Sequence, residues 1–157
     1  MKLKDIIVSW DLALALVVGG LTYYYSPDRV FHDIALAFYN TGVSVLSILF
    51  SVYFAALAII LSSSSDEFVK FLEKDGSYSA IINLYKYTLA VLFVGLVTSI
   101  SLSLVTSFKA KGPVNNQSQF YISTFAFLFS YAVFCSYNSA RDAIAYSMYR
   151  MKFLKGK

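Results

Sequence analysis

The sequence predicts an all-α integral membrane protein, with four transmembrane helices forming a single domain over residues 1–157. Hydrophobic residues make up 58% of the chain and charged residues only 14%, whereas a soluble domain has about 25% charged residues. Four segments reach the roughly 20 mainly apolar residues that a helix needs to cross a bilayer. We place these spans at about residues 6–25, 36–62, 84–108 and 120–140.

The first and third connections between the spans contain turn-forming residues. Residues 26–33 begin with a Ser-Pro pair, which is typical of a helix start, and they predict a short interfacial turn or helix. Residues 109–119 are polar and are interrupted by Gly112 and Pro113, so they predict a turn.

The second connection predicts a short amphipathic helix over residues 65–75, lying on the cytoplasmic membrane surface. Its apolar face would consist of Phe68, Phe71 and Leu72. The tail, residues 141–157, continues past the fourth span without proline and predicts a helical extension.

Lysine and arginine placement predicts the orientation, because cytoplasmic loops are enriched in these residues. With four spans, both termini share a side with the 63–83 loop, and three of the 13 basic residues, Arg29, Lys109 and Lys111, lie opposite. The other ten are Lys2, Lys4, Lys70, Lys74, Lys86, Arg141, Arg150, Lys152, Lys155 and Lys157. We therefore expect both termini in the cytoplasm. Basic residues at membrane edges favour contact with anionic lipid over direct binding of nucleic acid.

One carboxylate lies inside the first span, where an unpaired charge is costly. Asp11 is about five residues into the span, and Lys86 and Arg141 fall at the same level. We therefore expect a charge cluster in the cytoplasmic leaflet that contains these three residues together with Asn138 and Asp142.

The alternative role for Asp11 is to couple transport to a proton or cation, with a pKa raised by burial. At this one position the chain resembles the small multidrug resistance transporters, whose working acid also lies in the first helix. We favour the structural role, since charged residues near helix ends can snorkel and pair.

The second span carries one continuous face of small and polar residues at helical spacing. Its members are Asn40, Ser44, Ser47, Ser51, Ala55, Ala58 and Ser62. In lipid such a face belongs against protein or water. The simpler interpretation is a helix-packing seam, and the alternative is a hydroxyl-lined pathway around an oligomer axis, for which the candidates are Asn40, Ser44, Ser47 and Ser51. The third span has a similar predicted seam at Gly95, Ser99 and Ser103.

Residues for catalysis are scarce. His32, the single histidine, falls at the outer membrane edge, where we expect it to be exposed to solvent. Cys135, the single cysteine, is expected to pack in the interior. Because structural zinc takes four nitrogen or sulfur ligands, we expect no metal, and we predict a protein that is not an enzyme and holds no cofactor.

The passage "AALAIILSSSSDEFVKFLEKDGSYSAIINLYKYTLAVLF", residues 55–93, resembles an arrangement in small bacterial membrane proteins. In these, a span ends in serines, an acidic-capped short helix with Phe and Leu follows, and a Gly-x-Tyr turn leads into the next span. Many such proteins accompany phage-defence systems as membrane partners or effectors. The resemblance implies an oligomeric protein that senses infection, or that permeabilises or depolarises the inner membrane with a cytosolic partner.

The expected function is accordingly a non-enzymatic, homo-oligomeric component of phage defence in the bacterial inner membrane. A cytosolic protein partner would dock on residues 63–83 and 141–157. Two alternatives remain open, a small proton-coupled transporter that uses Asp11 and a passive membrane scaffold.

Overall fold

The computed structural model describes residues 10–62, 67–74, 76–109 and 116–155. Its elements, in chain order, are α1 (Trp10–Tyr25), β1 (Arg29–Phe31), α2 (His32–Ser62), α3 (Glu67–Lys74), α4 (Ser77–Lys109), β2 (Asn116–Ser118) and α5 (Gln119–Lys155). The fold is all-α apart from the two short strands, as the composition predicts.

Within the described residues, three helical segments are long and apolar enough to cross a membrane, namely His32–Ser62, Ser77–Lys109 and Gln119–Ala145. The predicted first span is helical over α1, but the 16 described residues extend only about 24 Å, less than the roughly 30 Å of a hydrocarbon core, so α1 stays a predicted span. The part of that prediction over residues 6–9 lies outside the described residues. The predicted tail helix is present as a continuation of α5, which is 37 residues long.

The helices pack as two antiparallel pairs. In the first pair α1 lies on α5, and in the second α2 lies on α4. Contact between α4 and α5 joins the pairs, and one buried cluster spans this junction. Its fully buried members are Leu46, Leu92 and Ala132, one from each of α2, α4 and α5.

The first and third connections pair with each other as an antiparallel ribbon. Arg29 lies opposite Ser118, and Val30 lies opposite Gln117. The prediction of two separate turns is therefore incomplete, because strand pairing between segments so distant in sequence leaves no local pattern. The ribbon places both connections at one end of the bundle, here called the ribbon end.

The second connection contains the predicted short helix, described over Glu67–Lys74. Val69 is its buried residue and Phe71 is half-exposed, while the side chains of Phe68 and Leu72 lie outside the described ones. Gly76 follows with a φ of +69°, a left-handed conformation that ends a helix without steric cost. The Glu73 carboxylate then accepts hydrogen bonds from the Ser79 backbone N–H at 3.2 Å and from its hydroxyl at 2.6 Å, which caps α4.

Adjacent glycines in α1 provide a matched test of the packing of α1 on α5. A methyl group on Gly19 would come within 2.8 Å of the Phe127 Cβ, whereas one on Gly20 would meet no atom within 4 Å. We expect Gly19→Ala to lower the free energy of unfolding by about 1–3 kcal/mol through overpacking. Gly20→Ala, which has the same effect on helix propensity, should not destabilise the protein. Thermal unfolding in detergent measures both, and equal melting temperatures would contradict the observed contact.

Candidate functional site

The polar face of α2 points away from the rest of its own chain. This face, called the serine face, consists of the predicted residues Asn40, Ser44, Ser47, Ser51, Ala55, Ala58 and Ser62. All are exposed except Ser47, which is half-buried. The helix packs instead through Ala35, Tyr39, Gly42, Leu46 and Tyr53. Residues two positions apart differ by about 200° around a helix, so the serine face lies opposite the packed face.

The hydroxyls of the serine face hydrogen-bond to their own helix. Ser44 donates to the Asn40 carbonyl at 3.1 Å, Ser47 to the Ser44 carbonyl at 3.0 Å, and Ser51 to the Ser47 carbonyl at 2.8 Å. A hydroxyl that has donated its one proton keeps acceptor lone pairs. At the ribbon end of the face, the Asn40 Oδ1 accepts a hydrogen bond from Ser103 of α4 at 2.6 Å. The serine face therefore presents side-chain oxygen acceptors over residues 40–51 and again at Ser62, with Ala55 and Ala58 between them.

Two of the three residues of the predicted α4 seam are buried between helices. A methyl group on Gly95 would lie 3.2 Å from a methyl of Leu46 in α2, so the glycine permits close approach. Ser99 donates a hydrogen bond of 2.7 Å to the Tyr39 carbonyl. Ser103 is half-buried at the edge of this contact, where it bonds Asn40.

Four of the five residues predicted to form one charge cluster form two separate pairs. The Asn138 amide donates to the Asp11 carboxylate at 2.6 Å, joining α1 to α5. Arg141 pairs with Asp142 at 3.7 Å, and both side chains are well exposed. Lys86 is exposed on α4, and neither Lys86 nor Arg141 forms an ion pair with Asp11. The carboxylate in α1 is thus held by a neutral amide donor.

A buried polar network joins α2, α4 and β2 at the ribbon end. The Tyr39 hydroxyl donates to the Gln117 Oε1 at 2.9 Å, and the Gln117 amide donates to the Thr106 hydroxyl. The His32 Nε2 donates to the Thr106 carbonyl, because a carbonyl can only accept. This carbonyl is in the last turn of α4, where helix carbonyls lack intrahelical partners.

The burial of His32 corrects an expectation. We predicted a solvent-exposed residue at the membrane edge, but its exposed fraction is 1%. The reason is the ribbon, because β1 places the first residue of α2 against the end of α4. The partners in the network are 11 to 78 residues apart in sequence, so no local pattern indicates them. Cys135 is buried, as expected.

No protein-family model matches this sequence, and no curated protein or solved structure is significantly similar to it. The candidate site therefore rests on the geometry of this chain.

The buried network predicts a stabilising role for the Tyr39 hydroxyl. Tyr39→Phe leaves the Gln117 carbonyl oxygen without its donor in a buried site, which costs about 1–3 kcal/mol. We expect a lower melting temperature in detergent. Tyr137→Phe, at a position with 69% exposure, is the matched control and should leave the melting temperature unchanged. An equal effect of the two substitutions would show that the network adds nothing to stability.

Proposed function

We propose that this chain is a non-enzymatic, multi-pass membrane protein that functions as a homo-oligomer, with the serine face of each copy at the contact between subunits. The observation that carries this proposal is the outward orientation of the serine face. A helix that used its small polar residues for packing within the chain would bury them, whereas α2 buries the opposite side.

The other exposed surfaces differ from the serine face in the size of their side chains. Exposed positions of α4 carry Phe93, Val94, Val97, Ile100 and Leu104, which suit contact with acyl chains. Small residues on the serine face suit close approach of a second helix, since association in lipid depends on packing and hydrogen bonds. The face extends along α2 from Asn40 to Ser62, about 33 Å, which is similar to the hydrocarbon thickness.

Assembly in a closed ring would place the serine face around a central axis. Most homo-oligomers have closed symmetry, and in a ring each subunit joins its two neighbours through two different patches. In this proposal the patches are the two edges of the serine face. Rings of oxygen ligands can replace part of an ion's hydration shell. The serine hydroxyls donate their protons to backbone carbonyls. The lone pairs of their oxygens therefore stay available to accept hydrogen bonds from water or to coordinate cations. We therefore propose conduction of cations, which would depolarise the membrane.

In this proposal α1 also crosses the membrane, which brings the number of spans to four, and both termini face the cytoplasm. The excess of basic residues at the termini and in the 63–83 loop supports this orientation. The pairing of β1 with β2 is consistent with it, since it brings the first and third connections to the same end.

The proposed biological role is phage defence in a bacterial inner membrane, supported by the resemblance over residues 55–93. The oligomer would act as a sensor or depolarising effector. A cytosolic partner would dock at the end opposite the ribbon, where α3 contacts α4 and α5 extends beyond its apolar segment.

Cysteine crosslinking tests the contact between subunits. In a Cys135→Ala background, which leaves one thiol per subunit, we expect Ser51→Cys to form covalent dimers with a flexible bifunctional maleimide in membranes. Val94→Cys, exposed on α4 at a similar depth, is the control and should remain monomeric. Crosslinking at Val94 and not at Ser51 would place the contact on α4 and contradict the proposal.

Ion flux tests the pathway. In liposomes with an imposed potassium gradient, we expect Ser51→Leu to reduce potassium flux at least tenfold, because it places an apolar side chain where acceptors lined the path. Ile48→Leu, at an exposed apolar position of the same helix, should retain the wild-type flux.

In the same assay, the variant Asp11→Asn distinguishes the proposed cation pathway from a proton-coupled transporter and from a passive scaffold. We expect it to keep its flux, since the Asn138 partner is a neutral amide. Loss of proton-linked flux with assembly intact would instead identify a coupled transporter. Oligomers without any flux would identify a scaffold, and flux unchanged by Ser51→Leu would exclude the serine face as the path.

A further inference from the structure

A cavity of about 440 Å³ opens beside the last turns of α4 at the ribbon end. Its volume is within the roughly 300–1,000 Å³ of small-molecule sites. It is lined by Leu102, Val105, Lys109, Gln117, Ser118 and Tyr121. None of these residues belongs to the serine face, so the cavity is a separate feature from the proposed pathway.

The cavity changes from apolar to basic along the axis of α4. Leu102, Val105 and Lys109 are spaced by three and four residues, so they lie on one side of the helix. The seven steps from Leu102 to Lys109 cover about 10 Å. Lys109 is the last residue of α4, so the ammonium lies at the end of the helix and Leu102 lies two turns further into its apolar part.

Gln117 and Ser118 form a polar wall of the cavity, and contacts with other residues hold them in place. Gln117 is held by hydrogen bonds with Tyr39 and Thr106. Ser118 is exposed and lies directly opposite Arg29 in the ribbon, and side chains of directly opposed residues lie on the same face. A second cation is therefore adjacent to Ser118, while none of the lining residues is acidic.

We propose that this cavity binds one anionic phospholipid from the surrounding leaflet. The phosphate would lie against Lys109 with the Ser118 hydroxyl as a donor, and one acyl chain would follow Leu102 and Val105. Along the cavity, apolar groups are followed by polar and cationic groups. This order matches the order of acyl chain and headgroup in a membrane lipid. A soluble phosphate would use Lys109 and Ser118 but would leave the apolar floor uncovered.

Lipid retention by the purified full-length protein tests this site. Native mass spectrometry compares phosphatidylglycerol with phosphatidylcholine of the same acyl chains. One lysine near a membrane surface favours anionic lipid by about fivefold, so we expect at least this preference for phosphatidylglycerol in the wild type. Lys109→Gln should reduce the preference about fivefold. Lys86→Gln, at an exposed lysine near the other end of α4, should leave it unchanged.

A second pair of variants tests the apolar floor. Val105→Trp should fill the cavity and lower retention of both lipids, whereas Val97→Trp, at an exposed position outside the cavity, should lower neither. Glycerol phosphate without acyl chains should not displace the bound lipid.

Three results would overturn the assignment. The first is a wild type that retains both lipids equally, and the second is an equal loss of preference in Lys109→Gln and Lys86→Gln, which would indicate diffuse surface charge. The third is displacement of the lipid by glycerol phosphate, which would indicate a site for soluble phosphate.

Discussion

Close packing of α2 against α4 is the contact on which the orientation of the other features depends. Gly42 lies directly beneath the Phe125 ring and the Ser99 hydroxyl, with no room for a side chain. Gly95 of α4 also contacts α2 closely, because a Cβ at this position would lie 3.2 Å from a methyl of Leu46. These approaches set the rotation of α2 about its axis. Once Gly42 and Leu46 face inward, the residues on the opposite side of the helix face away from the rest of the chain.

A second constraint is the burial of polar groups at the ribbon end, where water is excluded and hydrogen-bond partners come from the protein. At the ribbon end, the carbonyl of Thr106 is covered by His32, and the hydroxyl of the same residue is paired with Gln117. Gln117 also accepts from Tyr39. This network holds β2 against α4, although within the described part of the chain the His32 Nδ1 is buried without a hydrogen-bond partner. It also gives the neighbouring cavity a rigid polar wall, so the same residues that stabilise the end of the bundle shape the proposed lipid site.

The helices α1 and α5 pack through small residues of α1 and one polar contact. Ala15 and Gly19 are the buried residues of α1, and small side chains at a spacing of four allow two helices to approach closely. Asp11 lies one turn earlier on the same face, where Asn138 donates to it. A carboxylate with a neutral donor avoids a second buried charge and its desolvation cost. The contact provides a polar connection between two helices that otherwise meet through small residues.

The sequence by itself determined the class of protein, the positions of the long helices, the short helix before Gly76 and the serine face as a set. Each of these is a local property, because the length of an apolar run and the spacing of residues on one helix do not depend on the rest of the fold. The tertiary structure alone decided that the serine face points outward, that His32 is buried, and that Asp11 pairs with Asn138 and not with Lys86. These outcomes depend on the rotation of each helix and on contacts between distant segments, which close packing sets and no local pattern records.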